Sequence, residues 1–524
     1  MSNLAKNTFI LVIATVLAKI LGFFREMVLA STYGAGMVTD SYITALNIPS
    51  VLFVAIGAAV ASTFIPIYFD IKSKHDESEA IKFTNNVINI IILLCILISI
   101  VGLIFTKPLV KVFAAGFTGE KLELTIRYTR VLILGMASMG VSGMITAFLQ
   151  SKDDFTIPGL IGLPYNIIII SSIILSAMYN PNILIWGTLF GIISQLIFQI
   201  PFAYKKGFKY ELYIDLKDKY LKRMILLLGP VFIGVAVNQL NSIVDRSLAS
   251  TINEGTVSIL NYANKLNSVI IVMFISTLTS VIYPMLAKLA HDKKKDEFNK
   301  MVVKGINSIV LLVLPISIGA MTLSQPIIKV LFERGEFNTN ATLMTSQALL
   351  FYAIGMVPYG ITDLLSKVFY TLQDTKTPVV NASLSMIANI VLNFILIRSM
   401  SHNGLAFATS IASYIYMILL FRKLTKVLGN FGQKKVYITV FKSLCSALVM
   451  AIATRYSYEI LLSNLVLGMF TEYLVLACSI LVGGLVYATM IVILRVEEVS
   501  TIINMVKDKV GNKLNKNNTF KNIN

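Results

Sequence analysis

Six ionisable side chains stand inside long apolar stretches, where each needs a physical reason to be. Lys19, Arg25 and Glu26 fall in the apolar run 8–32, Asp245 and Arg246 in 223–251, and Lys265 in 256–287. A charge near the centre of a membrane helix costs about 2.5–3.5 kcal/mol on insertion scales, so such residues face a cavity or a partner. Sequence neighbours point about 100° apart on a helix. Neither Arg25 and Glu26 nor Asp245 and Arg246 is therefore expected to form a self-contained ion pair. Lys19, Arg25, Arg246 and Lys265 would together make a cationic lining suited to an anionic group such as a diphosphate. The plainer alternative is that they snorkel to the membrane interface or pair structurally. Glu26 and Asp245 align, because the LAST at 29–32 recurs at 248–251.

A second constellation is polar. Asn389 and Asn393 lie one turn apart in the eleventh apolar run, Thr409 in the twelfth and Asp245 in the seventh. One carboxylate with amide and hydroxyl oxygens is the ligand set of a hard monovalent cation, although Asn pairs also serve as interhelical glue. Asp40, after Thr39 at the start of the second run, reads either as a helix N-cap or as part of the site. Asp363 and Lys367 read as a helix-surface pair, and Arg127 and Arg130 as interface anchors. The histidines, His75, His291 and His402, read as loop residues, which argues against an intramembrane histidine relay. Cys95, Cys445 and Cys478 all sit in apolar runs, which argues against a disulfide framework or a metal cluster.

The elements that must position these residues are membrane helices. The 524 residues are 56% hydrophobic and only 14% charged, with mean hydropathy +0.77, above the roughly 45–50% apolar content of soluble domains. About fourteen runs have the roughly 20-residue length of a bilayer crossing. The chain also repeats itself. Ser62–Pro66 recurs as Ser280–Pro284, PLVKV at Pro108 as PIIKV at Pro326, and Pro158 as Pro378, all within two residues of the 219-residue LAST offset. The expected fold is all-α and polytopic: a six-helix bundle over 1–215, a second over 216–430, two additional helices over 431–495 and a cytoplasmic tail over 496–524. Apolar positions from Val496 to Val506 recur at helical spacing there, and disorder is expected after about Lys513. With six crossings each, the repeats run parallel, the build of transporters whose substrate path lies between two bundles.

The net charge of +18 is concentrated in alternate loops, among them 205–223, 293–300 and 422–435. Membrane topology, and not nucleic acid, explains that pattern, and it predicts that both termini are cytoplasmic. Lys107, Lys111 and Lys121 are exceptions on the opposite side. No cleavable signal peptide is expected, since the first apolar run belongs to the repeat.

At these residues the chain resembles the MurJ (MviN) family of lipid II flippases, within the superfamily of multidrug, oligosaccharidyl-lipid and polysaccharide exporters. The matching segments are Leu17–Pro49, Gln239–Ser250, Gly255–Leu266, Leu331–Phe337 and Phe369–Val380. The resemblance implies a non-enzymatic transporter in the bacterial inner (plasma) membrane. It would carry undecaprenyl-diphosphate-linked glycopeptide to the outer leaflet for peptidoglycan and cell shape, by alternating access. It maps substrate-binding roles to Lys19, Arg25, Glu26, Asp40 and Lys265, to which the charge reading adds Arg246, and a sodium site to Asp245, Asn389, Asn393 and Thr409. No other cofactor is implied, and cell-wall synthesis proteins are candidate partners. Three departures stand out: Lys19 and Lys265 replace arginines, and Ser50 follows Pro49 where the family has an arginine pair. Lysine loses the bidentate phosphate geometry of arginine. The alternatives are an exporter of another polyprenyl-linked glycan, a drug/cation antiporter, a membrane glycosyltransferase or a scaffold. An antiporter of cationic drugs would favour an acidic lining, and an enzyme needs catalytic carboxylates or histidines on substantial loops, which are mostly short here.

Overall fold

The computed structural model describes residues 3–464 and 468–498, and every regular element among them is helical. The first repeat runs α1 (Asn3–Tyr33), α2 (Met37–Lys74), α3 (Glu77–Ile104), α4 (Thr106–Phe113), α5 (Gly119–Ile133), α6 (Met136–Ser151), α7 (Thr156–Leu160), α8 (Gly162–Met178) and α9 (Asn182–Lys205). The second runs α10 (Lys219–Ala249), α11 (Thr256–Ile270), a π-helical stretch (Ile271–Ser276), α12 (Thr277–His291), α13 (Lys295–Thr322), α14 (Ser324–Phe332), α15 (Thr339–Ile354), α16 (Met356–Thr371), α17 (Lys376–Met400) and α18 (His402–Leu428). After these come α19 (Gln433–Asn464) and α20 (Met469–Ile493).

Among the described residues nine helical stretches are long and apolar enough to cross a membrane, and up to eleven if the bent pairs α5/α6 and α15/α16 each count as one crossing. The helices α1, α2 and α10, of 31, 38 and 31 residues, also exceed the roughly 20 that a crossing needs. The fourteen crossings expected from sequence are therefore not confirmed: nine to eleven meet both length and apolar content among the described residues, and these three meet length alone. Apolar side chains on α3 show what such helices face: Leu93, Leu97, Ile100 and Ile104 form one exposed stripe at helical spacing.

The two repeats share local geometry down to their turns. Helices α3 and α13 both have 28 residues and begin 218 apart. The bends at α5/α6 and α15/α16 are 43° and 41°, and they fall at Gly135 and Gly355. A Cβ on Gly355 would lie 2.7 Å from the Ser410 hydroxyl, so close approach requires glycine there. Asp153 and Gln373, 220 apart, are both left-handed, with φ 58° and 61°. The next residues, Asp154 and Asp374, each accept a backbone N–H from the following helix, from Ile157 at 3.3 Å and Thr377 at 2.9 Å.

Contacts group the chain into two compact units: Met1–Lys265 with Leu331–Thr345 and Ile390–Leu405, and Leu266–Val330 with Ser346–Asn389 and Ala406–Asn524. The core of the first gathers Phe64, Tyr68, Ala80, Phe83, Phe148 and Leu149. That of the second gathers Leu286, Phe298, Ile306, Val368 and Phe369. Equivalent positions exchange volume: Tyr68 and Ala80 become Leu286 and Phe298, while Phe148 and Leu149 become Val368 and Phe369. Such compensated swaps keep a core filled.

The connection between the repeats is a non-helical strap on α3. Asn85 donates to the Lys209 carbonyl at 2.8 Å and accepts from the Glu211 N–H at 3.2 Å. Asn86 does the same to both backbone groups of Asp215, at 2.9 and 2.8 Å. Asn89 donates to the Glu211 and Tyr213 carbonyls, both at 3.0 Å. Three asparagine amides thus replace the strand partner that an extended segment lacks. Arg223 to Asp70 at 2.8 Å and Tyr220 to His75 at 3.1 Å fix the start of α10 beside it.

The reading of the histidines as loop residues needs correction. His402 is buried and opens α18, its Nε2 3.2 Å from the Met344 carbonyl, and His291 closes α12; only His75 lies outside a helix. The single residue Ser401 separates α17 from α18, which leaves no loop for His402 to occupy. The expected tail helix and disorder fall on residues outside those described, apart from Val496–Glu498.

Candidate functional site

Arg25 and Glu26 lie in the second half of α1, both buried. Contrary to the sequence expectation they pair with each other, Arg25 Nη2 standing 2.6 Å from Glu26 Oε1. Their Cβ atoms diverge, but the guanidinium has a long stem on which to curl back, and in a desolvated site the charge-assisted bond outweighs the rotamer cost. Each member also reaches another helix, as expected. Arg25 Nη1 donates to Asn166 Oδ1 on α8 at 3.1 Å, and its guanidinium lies 5.4 Å from the Tyr165 ring centre. Glu26 Oε2 accepts from Asn261 Nδ2 on α11 at 3.3 Å. Gly22, one turn before Glu26, faces Asn166.

Asn261 is one turn before Lys265, so the two share a face of α11. Lys265 interacts electrostatically with Glu26, Arg25, Arg246 and Lys19. All four of these partners belong to the first unit, so Lys265 is within electrostatic reach of the three other cations singled out from sequence. Lys19 and Lys265 are exposed as whole residues and Arg246 is half-buried, whereas Arg25 is enclosed. Counted as formal charges, these four cations with Glu26 and Asp245 sum to +2.

Asp40 has a different surrounding from the one expected. It lies in the first turn of α2, whose N-cap is Gly36, and it is fully buried. Its oxygens accept the backbone N–H of Gly255 and of Ser258, each at 2.8 Å, and Lys121 Nζ lies 2.6 Å away. Asp40 therefore caps α11, in the opposite repeat, and not its own helix. Glu254 returns the bond, its Oε1 accepting the Met37 N–H of α2 at 2.8 Å. Each of the two helices is thus capped by an acid from the other's repeat. The backbone seals this end: Glu336 N–H donates to the Ser31 carbonyl at 2.9 Å. A Cβ on Gly34, at φ +63°, would stand 2.5 Å from the Glu336 carbonyl, so glycine is required.

At the second constellation Asn393 Nδ2 donates to Asp245 Oδ1 at 2.5 Å. Asn389 is buried one turn earlier on α17, and Thr409 is half-buried on α18. Among the described residues no group of three or more His, Cys, Asp and Glu could hold a metal; these four residues offer one carboxylate with amide and hydroxyl oxygens. That donor set fits a monovalent ion. Asp363 and Lys367 pair at 2.9 Å as expected, and Lys367 also donates to Thr279 at 2.6 Å.

Sequence reasoning missed Asn166, Asn261, Lys121 and Glu254. The signal for two of them was present: Lys121 is one of three basic exceptions in the sparse loops, and Glu254 stands just before a helix start with Gly255 between.

The model of the family described as lipid II flippase MurJ matches residues 29–476. Similar proteins include the probable lipid II flippases MurJ of Buchnera aphidicola subsp. Acyrthosiphon pisum, 28% identical over 86% of this chain and 89% of the relative, and of Rickettsia prowazekii, 29% identical over 91% and 94%. A solved lipid II flippase MurJ in an inward closed conformation superposes with a TM-score of 0.79, 27% identity and coverage of 93% of this chain and 99% of that one. An inward-facing multidrug transporter of the MATE family, with a TM-score of 0.67 and 12% identity over 79% of this chain and 96% of that one, shares the fold alone. The match to the family model over most of the chain, joined to a fold shared with a solved member, places this chain in the MurJ family of lipid II flippases.

Proposed function

We propose that this chain is a multi-pass transporter that moves lipid II, an undecaprenyl-diphosphate-linked glycopeptide, from the inner to the outer leaflet of the bacterial plasma membrane by alternating access. The observation that carries the reading is the cluster of Lys19, Arg25, Arg246 and Lys265 with a net +2. That charge balances the roughly two negative charges of a diphosphate diester. Exposed Lys19 and Lys265 meet the diphosphate first. Arg25, locked to Glu26 and Asn166, holds the geometry of α1, α8 and α11 around it. The reciprocal caps Asp40–α11 and Glu254–α2 close one end of the first unit and must part for that end to open. Both termini are cytoplasmic by the positive-inside rule, which places the lysine-rich segments 205–223 and 293–300 inside.

Asp245, Asn389, Asn393 and Thr409 would hold a sodium ion, with the Asn393 amide turned to present its oxygen. The ion would supply one positive charge beside Arg246 and favour the conformation that binds it. Cells depleted of their own flippase and carrying this chain test the reading, scored by whether an externally added lipid II hydrolase cleaves the precursor. Cleavage is expected with the wild type and at least ten-fold less with Arg25→Ala at equal membrane abundance. Absent cleavage with abundant wild type would remove lipid II as the substrate, and equal cleavage by both would remove Arg25 from the machinery.

A further inference from the structure

Where the end of α12 meets the start of α13, the second unit contains a cavity of about 610 Å³. Lys288, Lys300 and Lys304 line it, with Met285, Leu289 and Met301. Lys294 and Glu297, also on its rim, pair with each other at 3.3 Å. Lys288, Lys300 and Lys304 are exposed and have no ion pair among the described residues. With Asp292 included, the lining carries a net +2.

The equivalent groove of the first repeat is filled by the chain itself. Positions 218 earlier are Asp70, Lys82 and Asn86. Asp70 takes Arg223, Lys82 lies 4.8 Å from the Tyr213 ring centre, and Asn86 takes the backbone of Asp215. Tyr220 packs edge-on against Phe83 there. In the second repeat no strap covers the site among the described residues, and the residue types that held it have changed sign or gained charge: Asp70 becomes Lys288 and Asn86 becomes Lys304. The last strap asparagine survives, since Asn89 corresponds to Asn307, which donates to Glu498. The chain beyond Glu498 carries five lysines and one aspartate, so its charge opposes occupation of a lysine-lined cavity. An anionic occupant satisfies both.

We infer that this cavity binds an anionic phospholipid of the inner leaflet, its phosphate among Lys288, Lys300 and Lys304 and its glycerol and upper acyl chain against Met285, Leu289 and Met301. Exposed Val281 and Met285 on α12 continue the apolar path into lipid. Basic recesses between helices at the cytoplasmic face suit phosphate headgroups. The leaflet, but not the ligand chemistry, rests on the topology proposed above.

The test uses the full-length protein in nanodiscs with a photoreactive phosphatidylglycerol, the adducts mapped by peptide mass spectrometry. Adducts on 281–305 are expected, at several times the yield of a phosphatidylcholine analogue. Each lysine should contribute about five-fold, so Lys304→Gln should weaken labelling about five-fold and the triple Gln variant at least twenty-fold. Normal elution and melting of the single variant keep the result interpretable. Equal labelling by phosphatidylcholine, or unchanged labelling of both variants, would overturn the site. Full displacement by millimolar inorganic phosphate would make it a soluble-anion site and overturn the lipid. Labelling of Lys295→Cys by an impermeant thiol reagent from outside the cell would overturn the leaflet alone. None of these readouts requires flipping, so failure of the transport reading would show separately.

Discussion

At the scale of single residues, each enclosed charge of the first unit is held by a group at another helix, Arg25 by Asn166 and Asp40 by the backbone of Gly255 and Ser258. Arg25 and Glu26 announce themselves because charge is costly in an apolar run, but which atoms meet depends on how far side chains curl and on which helix arrives alongside. Asp40 shows the same limit. A carboxylate at a helix start reads as a cap for its own helix, whereas its oxygens cap α11 and hold Lys121. Asp40→Ala would leave an enclosed ammonium and two backbone N–H groups without their acceptor. Removing one partner of a buried ion pair costs about 3–5 kcal/mol, and asparagine retains one acceptor oxygen. Thermal melting of purified protein is expected to fall in the order wild type, Asp40→Asn, Asp40→Ala, with Ala lower by several degrees. Equal melting of all three would show that the cap contributes nothing to the closed end.

At the scale of elements, apolar run length located the long helices within several residues, because length and hydropathy are local properties. The bends at Gly135 and Gly355 and the strap were hidden, since each depends on a neighbour distant in sequence. Nothing in the composition of 209–218 says that it lies against α3. Three asparagines within five residues, in a run otherwise apolar, were the available sign. The double variant Asn86→Ala and Asn89→Ala would leave the backbone of Glu211, Tyr213 and Asp215 without these partners. An unmade hydrogen bond to a buried group costs about 1–3 kcal/mol, so the segment should open locally more often. Trypsin cleavage at Lys209 and Lys217 is expected to accelerate at least ten-fold, while cleavage after Lys293 and Lys294 stays unchanged. A uniform acceleration at both places would indicate general unfolding and remove the strap's specific role.

At the scale of the whole molecule, duplication was legible because insertions within the repeat are few, and the matched turns at Asp153 and Gln373 preserve it even where the side chains differ. The charge balance of the proposed carrier is a property of this scale too. With substrate bound, the cluster of Lys19, Arg25, Arg246, Lys265, Glu26 and Asp245 is close to neutral; emptied, it is +2. A membrane potential acts on moving charge at roughly 2.3 kcal/mol per charge per 100 mV, so two charges crossing the full field would feel about 4.6 kcal/mol. The potential, negative inside, therefore pulls the empty carrier back toward the inside and leaves the loaded step nearly unaffected. In proteoliposomes with an imposed potassium diffusion potential, steady-state flipping should rise with inside-negative voltage. Lys265→Gln lowers the empty charge to +1 and should flatten that dependence, whereas Glu26→Gln raises it to +3 and should steepen it. A voltage slope that is the same in all three proteins would mean that these residues do not move through the field, and the return step would then need another source of drive, for which the proposed sodium ion at Asp245 is the remaining candidate.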